Sequence, residues 1–404
     1  MSRSLRSVRL ALHPARCFLQ RFPSRLKILI WHWGRRGGGP RYTLELARVL
    51  SARDDMDIHL SLSRQSEMYA DFSGIPVAGR FDVDTYETAV QFGLRSLKLP
   101  LLRRRFAHYI QEQKIDVVFC TMDHLWNAFM TGVIRDSGAV YLLTVHDATR
   151  HPGEDQSWRR WLLRRDIDAS DAALVLTRSV GESLQDKHLY PANRIFLSAH
   201  GHFGDSNAGV EPRKLPTDRP PRLLFFGRIL EYKGLELMLE ALPLLRREFP
   251  TLQLEVWGAG DIEPYRAALD AVGDVRVENR WIGEAEIPSI FATADLSVLP
   301  YREASQSGVV ATAFAFGVPC IVTPIPGLRE QVDDGVTGVI SGGFGPAEYA
   351  EAVARALRDP AFYTRLSQNC IAATRTTLSW ETISQSVVDA LHGAYAKGKR
   401  EEIL

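Results

Sequence analysis

Four cysteines, Cys17, Cys120, Cys320 and Cys370, are all that 404 residues contain, and none stands at a spacing that pairs metal ligands. That scarcity excludes a zinc-ribbon site and a disulfide framework, and it suits a reducing cytoplasm. Long apolar runs are missing too, so neither a bilayer-spanning helix nor a secretion signal is expected. No internal repeat occurs, and a net charge of +1 gives no reason to expect a nucleic-acid partner. Acidic residues are absent from residues 1–27, which hold seven Lys or Arg, and residues 1–25 read as a flexible basic tail.

What is present is an ordinary enzyme composition, 45% hydrophobic and 24% charged, in a chain long enough for two well-buried α/β domains. The near-zero net charge hides an asymmetry: residues 1–205 hold 29 Lys and Arg against 22 Asp and Glu, and residues 206–404 hold 20 against 26. In the basic half, residues 94–106 (LRSLKLPLLRRRF) and 158–165 (WRRWLLRR) interleave apolar side chains with arginines. This pattern suits an anionic membrane surface or a phosphate-bearing acceptor, and equally a core helix with a solvated basic face.

Strand and helix signals alternate along the whole chain. In the first half the apolar runs 26–31 (LKILIW), 117–120, 140–145 and 173–177 read as buried parallel strands, and the cluster Gly37, Gly38, Gly39 precedes a helix carrying Leu44, Leu46 and Leu50. Residues 207–221 (NAGVEPRKLPTDRPP) are dense in proline and polar residues, as a crossing linker should be. The alternation predicts two doubly wound domains, residues 26–205 and 222–379, joined by a linker at 206–221.

The stretch 222–234 (RLLFFGRILEYKG) is the most informative. Residues 222–226 read as a strand, Gly227 breaks it, and Leu235, Leu239, Leu242 and Leu245 recur at helical spacing, so Arg228 and Lys233 lie in a strand-to-helix loop. In an open α/β sheet that loop opens at the carboxyl edge, where ligands bind and a helix start offers free amides; two added cations suit a diphosphate.

Further on come 252–260 (LQLEVWGAG), an expected strand 275–283, the run ADLSVLPY at 294–301, EASQSGVVATAFAFGVP at 303–319 and IVTPIPGLREQVDDGVTG at 321–338. In that order, across nearly all of 222–341, these segments resemble the nucleotide-sugar half of the GT-B glycosyltransferases, in particular glycosyltransferase family 4, the retaining "group 1" enzymes. The resemblance implies a GT-B fold whose last helix, within 380–404, crosses back to the first domain. It implies a nucleoside-diphosphate sugar as donor substrate with no other cofactor and no metal, and a glycan or lipid-linked saccharide as acceptor. The implied location is cytoplasmic, peripheral on the inner face of the cell membrane.

Residue by residue, the resemblance makes Arg228 and Lys233 the diphosphate pair. It makes Ser305, Gln306, Ser307 and Gly308 a second phosphate anchor at a helix start, with an ordinary helix cap as the competing reading. The usual family pattern has two glutamates eight positions apart; here Glu303 is the candidate sugar contact, Ala311 stands eight residues on, and Thr312 falls where the second acid belongs. Gly227, Gly258 and Gly260 suit tight turns at the strand edge; Gly327, Leu328 and Glu330 resemble the family's loop near the phosphates; 281–286 (WIGEAE) would lie near the base.

In the first half, the strand 141–145 ends in His146 and Asp147, which puts the imidazole at a strand's carboxyl edge, able to donate to a sugar hydroxyl. It resembles the family's strand-end histidine, and a satisfied structural histidine is the alternative. His200 resembles the histidine-glycine signature that shapes the cleft, and Gly37 to Gly39 allow close approach of a phosphate to backbone. Asp82 and Asp84 bracket Val83 like a metal-binding triplet, without the sheet context such a triplet needs. Catalysis is therefore expected to rest on Arg228, Lys233, His146 and Glu303 through positioning and charge stabilisation. A sugar-nucleotide epimerase of the same fold and a non-catalytic subunit are the competing functional readings.

Overall fold

The computed structural model describes residues 23–149, 156–203 and 209–401. Most of the basic tail at 1–25, and residues 206–208 of the expected linker, lie outside the described residues.

Two parallel sheets organise the chain. The first, in the order β3-β2-β1-β4-β5-β6-β7, contains β1 Leu26–His32, β2 Met56–Leu62, β3 Gly79–Arg80, β4 Val117–Cys120, β5 Val140–Val145, β6 Ala172–Val175 and β7 Ile195–Leu197. The second, in the order β10-β9-β8-β11-β12-β13, contains β8 Arg222–Phe226, β9 Gln253–Trp257, β10 Val275–Glu278, β11 Leu296–Leu299, β12 Cys320–Val322 and β13 Gly338–Ile340. Strands β4, β5, β6 and β11 are buried at every residue, because helices cover both faces of each sheet. The two doubly wound lobes read from the alternation are thus observed.

In each sheet the chain builds outward to one edge and then returns to the other side of its first strand. The order reverses between β1 and β4 in one lobe and between β8 and β11 in the other. At such a point the loops leaving two neighbouring strands diverge and open a crevice. The crevice of the first lobe is bounded by α1, Gly38–Ser51, which follows β1. That of the second is bounded by the turn Glu231–Lys233 and the helix α7, Leu235–Glu248 in the full chain order. Between them the first lobe also carries α2 Ala89–Ser96, α3 Leu99–Gln113, α4 Asn127–Asp136, α5 Ser157–Ala169 and α6 Arg178–His188.

The final helix, Trp380–Glu401, returns to the first lobe, where Trp380, Ile383, Val387, Leu391 and Ala394 join the core under β1, β4 and β5. Trp380 Nε1 donates to the His202 carbonyl at 2.9 Å, and the Ser198 and Ser386 hydroxyls meet at 2.6 Å. The described part of the linker is held by the second lobe. Arg213 donates to the carbonyls of Phe291, Ala292, Ala294 and Phe316, and Arg219 makes a two-pronged pair with buried Asp295 at 2.7 and 2.8 Å.

Two expected spans differ. The strand expected over 275–283 stops at Glu278, because Asn279 turns back to bond Gly260 at 3.1 Å in both directions and Arg280 N closes on the Glu278 carbonyl. The basic run at 94–106 is not one helix: it crosses a break at Leu97 and Lys98 between α2 and α3.

Candidate functional site

The site grows from the backbone of the second lobe. Gly227 and Gly258 both take positive φ, 112° and 149°, and a Cβ on Gly258 would strike the Gly227 carbonyl, so the loops leaving β8 and β9 nest backbone against backbone. Gly234, at φ 69°, sits so close to the Pro300 carbonyl that no side chain fits. This contact presses the turn carrying Lys233 onto the end of β11. The Lys233 ammonium consequently lies 4.0 Å over the ring of Tyr301 and 5.6 Å from that of Tyr232.

Tyr301 is the hub that sequence reasoning missed. It is 1% exposed, and burial pushes its hydroxyl pKa well up, opposed by Ser307 and by the field of Arg228. Lys233 thus packs on Tyr301 at the switch point of the second sheet, where the buried Tyr301 hydroxyl has no hydrogen-bond partner and feels the field of Arg228. Arg228 is exposed and Lys233 half-buried.

The corner itself is cross-braced. Ser307 is the residue before the helix Gly308–Ala315, its amide donates to Gln331 Oε1 at 2.7 Å, and Gln331 Nε2 donates back to the Ser307 carbonyl at 3.2 Å. Gly327 packs against the carbonyls of Ala304 and Ser305, and Leu328 is fully buried beside it. Gly260 lies on the Ile229 carbonyl. Thr312, where the resemblance calls for an acid, is buried with its hydroxyl bonded to the Gly308 carbonyl at 2.8 Å. Glu303 is exposed on the loop leading from β11 to that helix.

The first lobe meets this corner directly. His146 is 6% exposed; its Nε2 lies 2.9 Å from the Thr121 carbonyl and its Nδ1 3.4 Å from Gln306 Nε2. A carbonyl only accepts, so Nε2 carries a proton, and Nδ1 faces the Gln306 amide across the cleft. The other atom of that amide, Gln306 Oε1, is buried without a partner. Asp147 follows, half-buried. His200 is held down to a pKa of about 4, chiefly by burial, with the Gly201 carbonyl at 2.9 Å from Nδ1 opposing and His146 contributing. Its Nε2 lies 3.2 Å from where a Cβ on Gly308 would be, so the two lobes touch there.

The glycine cluster forms the start of α1. Gly37, at φ 82°, donates its amide to Glu67 Oε1 at 2.9 Å, Gly38 faces Phe203, and Gly39 rests against Met122 and His32. His32, at the end of β1, is 2% exposed with both ring nitrogens unpartnered, and its pKa falls to about 3, mostly through burial and then through His124 and His146.

Several interlobe contacts were invisible in the sequence. Glu67 Oε2 accepts from Trp281 Nε1 at 3.1 Å, and the Arg36 guanidinium lies 5.9 Å over the Trp281 ring. Thr177 donates its hydroxyl to the Ser305 carbonyl at 2.8 Å, and Glu330 accepts from the amides of Arg178 and Ser179 at 2.6 and 2.8 Å. Thr177 thus leaves the first turn of α6 uncapped, and the other lobe supplies the cap. Glu330 bonds α6, whereas the resemblance suggests a position near phosphate. Glu284, partly shielded, has its pKa raised by burial, with Arg41 acting against Glu67 and Asp71. Among the described residues no group of three or more His, Cys, Asp or Glu is arranged to hold a metal ion, and no helix is long and apolar enough to cross a membrane.

Comparison with known proteins bears on both lobes. The profile "Glycosyl transferases group 1" matches residues 220–359, and "Glycosyltransferase Family 4" matches residues 36–201. An alpha-D-kanosaminyltransferase of Streptomyces kanamyceticus is 26% identical over 237 residues, 56% of this chain and 61% of that one. A glycogen synthase of Mycobacterium tuberculosis is 27% identical over 64% of each chain, and a D-inositol 3-phosphate glycosyltransferase of Frankia alni is 30% identical over 61% of this chain and 63% of its own. The chain therefore spans somewhat less than two thirds of these relatives. Among solved structures, Anabaena HepE in complex with UDP and glucose superposes with a TM-score of 0.71 at 14% identity, covering 91% of this chain and 100% of that one. At that identity the likeness is one of fold.

Proposed function

This chain belongs to the group 1, family 4 glycosyltransferases of the GT-B fold, and from that premise we propose that it moves a hexose from a nucleoside-diphosphate sugar to a glycan or lipid-linked saccharide, with retention at the anomeric carbon. One observation carries the reading: the Lys233 ammonium lies 4.0 Å over Tyr301 at the end of β11, with Arg228 in the same loop and the field of Arg228 reaching the Tyr301 hydroxyl at the switch point of the second sheet. Directly across the cleft from the Ser307 corner stands His146, bonded to Gln306.

The chemistry follows from charge. As the bond between the anomeric carbon and the diphosphate oxygen breaks, negative charge grows on the leaving oxygen. A fixed ammonium and guanidinium stabilise that charge more in the transition state than in the ground state. The acceptor hydroxyl attacks from the side the diphosphate is leaving, its oxygen bonds to the anomeric carbon, and its proton passes to the departing phosphate oxygen. His146 and the unpartnered Gln306 Oε1 are suited to hold hydroxyls of the donor sugar, and the glycine-rich start of α1 lets acceptor or phosphate come close to backbone. No metal is required in this scheme.

Incubation with radiolabelled UDP-, GDP- and ADP-hexoses, with and without an acceptor panel, tests it. Label entering an acceptor supports transfer. Free or epimerised sugar without acceptor supports the epimerase reading. Nucleotide binding with no product supports a non-catalytic subunit. Retention is read from the anomeric coupling constant of the product.

A further inference from the structure

The cleft leaves one surface of the first lobe unexplained. Helix α2 has no buried residue. An eight-residue helix of that kind is marginal in water by its own hydrogen bonds. Val90 and Leu94 of α2, Leu97 at the break and Leu101 of α3 are 72%, 62%, 79% and 58% exposed. Phe129 of α4 and Trp158 and Trp161 of α5 are further large apolar side chains of the first lobe left exposed.

Beside the Val90 to Leu101 side chains lies a cavity of about 350 Å³ between the ends of β2 and β3 and the α2–α3 pair. Its charged lining comprises Arg64, Arg95, Lys98 and Arg105 against Asp82 and Asp84. Both carboxylates are already engaged. Asp82 takes Arg80 at 2.9 Å and the Tyr69 hydroxyl at 2.8 Å, and Asp84 faces Arg64 at 3.6 Å. Arg95 donates to the Thr85 carbonyl, and the Arg105 guanidinium lies 6.0 Å over the Phe81 ring. Among the described residues no carboxylate pairs with Arg95, Lys98 or Arg105. Of the four cations lining the cavity, three thus have no carboxylate partner among the described residues, and they stand with apolar Phe81, Leu102 and Trp126 beside the exposed Val90 to Leu101 side chains. The volume lies within the range of about 300–1,000 Å³ usual for small-ligand sites.

We propose that this cavity binds the phosphate of an anionic lipid in a bilayer, with the exposed Val90 to Leu101 side chains set into the interface and Arg95, Lys98 and Arg105 on the phosphate. Charge complementarity selects the occupant: an apolar partner would leave three cations uncompensated, and a soluble anion would leave those side chains in water. That this lipid carries the acceptor rests on the transferase reading; the binding itself does not.

The test is co-sedimentation of the whole protein with phosphatidylcholine vesicles, with and without phosphatidic acid. Wild type is expected to bind the acidic vesicles at least tenfold more tightly. Lys98→Ala with Arg105→Ala should lower that binding at least tenfold at an unchanged melting temperature; Lys98→Arg with Arg105→Lys should keep it. Leu97→Asn with Leu101→Asn, at exposed positions, should abolish vesicle binding. Wild-type binding by the Ala pair, or loss only when the α5 arginines Arg159 and Arg164 are removed, overturns the proposal. So does a melting shift with glycerol 3-phosphate that acidic vesicles fail to produce, because the site then takes a soluble ester. Nucleoside-diphosphate melting shifts run on the same samples separate the two readings: their loss with vesicle binding intact defeats the donor site alone.

Discussion

Lys233 and Arg228 carry the sharpest residue-scale prediction. Lys233→Ala and Arg228→Ala should each lower kcat by about 10²–10³ while the melting temperature moves little, since removing one charge-stabilising donor commonly costs that much; steady-state kinetics beside thermal melts decide it. The pair was legible because a strand, a glycine and a helical repeat in sequence put both cations in one loop. Tyr301 and Glu67 were not legible, because their neighbours arrive from distant segments that only the folded sheets bring together. A second prediction concerns protons. His32 and His200 sit near 3 and 4 in the folded chain, below an unfolded value of about 6.5, so the unfolded chain takes up protons first as pH falls. Their contribution is present above about pH 6.5 and is lost on acidification toward 4. Urea unfolding at pH 7 and pH 5 should differ by on the order of 1–2 kcal/mol for each ring, and His200→Asn should remove part of that dependence.

Glycine contacts divide the loops of the second lobe into two kinds. Gly258 faces the Gly227 carbonyl with no room for a Cβ, whereas Gly273, at φ 59°, faces open space. Gly273→Ala should cost about 1–3 kcal/mol, the strain of a positive-φ, extended-ψ backbone alone. Gly258→Ala should cost clearly more and should weaken nucleotide binding, because the loop of Arg228 must move; denaturation midpoints and nucleotide titration measure the two. Elements were read best where periodicity was long, as in α7 and the buried strands. They were misjudged where one side chain stops a run. Asn279 ends β10 by reaching to Gly260, and the break at Leu97 and Lys98 splits a basic stretch whose composition is continuous.

For the whole molecule, the bond from Thr177 to the Ser305 carbonyl and the Glu330 carboxylate on the first amides of α6 help to hold the lobes together. Glu330→Gln keeps the size and drops the charge that two amides of α6 meet at 2.6 and 2.8 Å. It should raise KM more than it lowers kcat and increase the radius of gyration in small-angle scattering; an unchanged profile and KM would assign Glu330 a surface role. The two-lobed architecture was readable from alternation and a proline-rich joint, but the faces the lobes turn to each other were not, since the residues at that seam are ordinary surface types until folding pairs them. The homecoming of the Trp380–Glu401 helix has a consequence for biogenesis. Trp380 and Leu391 complete a core whose strands were synthesised first, so the earliest-made lobe stays unfinished until the second has emerged. At about 5–20 residues per second, the stretch from Leu197 to Trp380 imposes a wait of roughly 10 to 40 s, during which the nascent β1–β5 layer offers a bare apolar groove to chaperones.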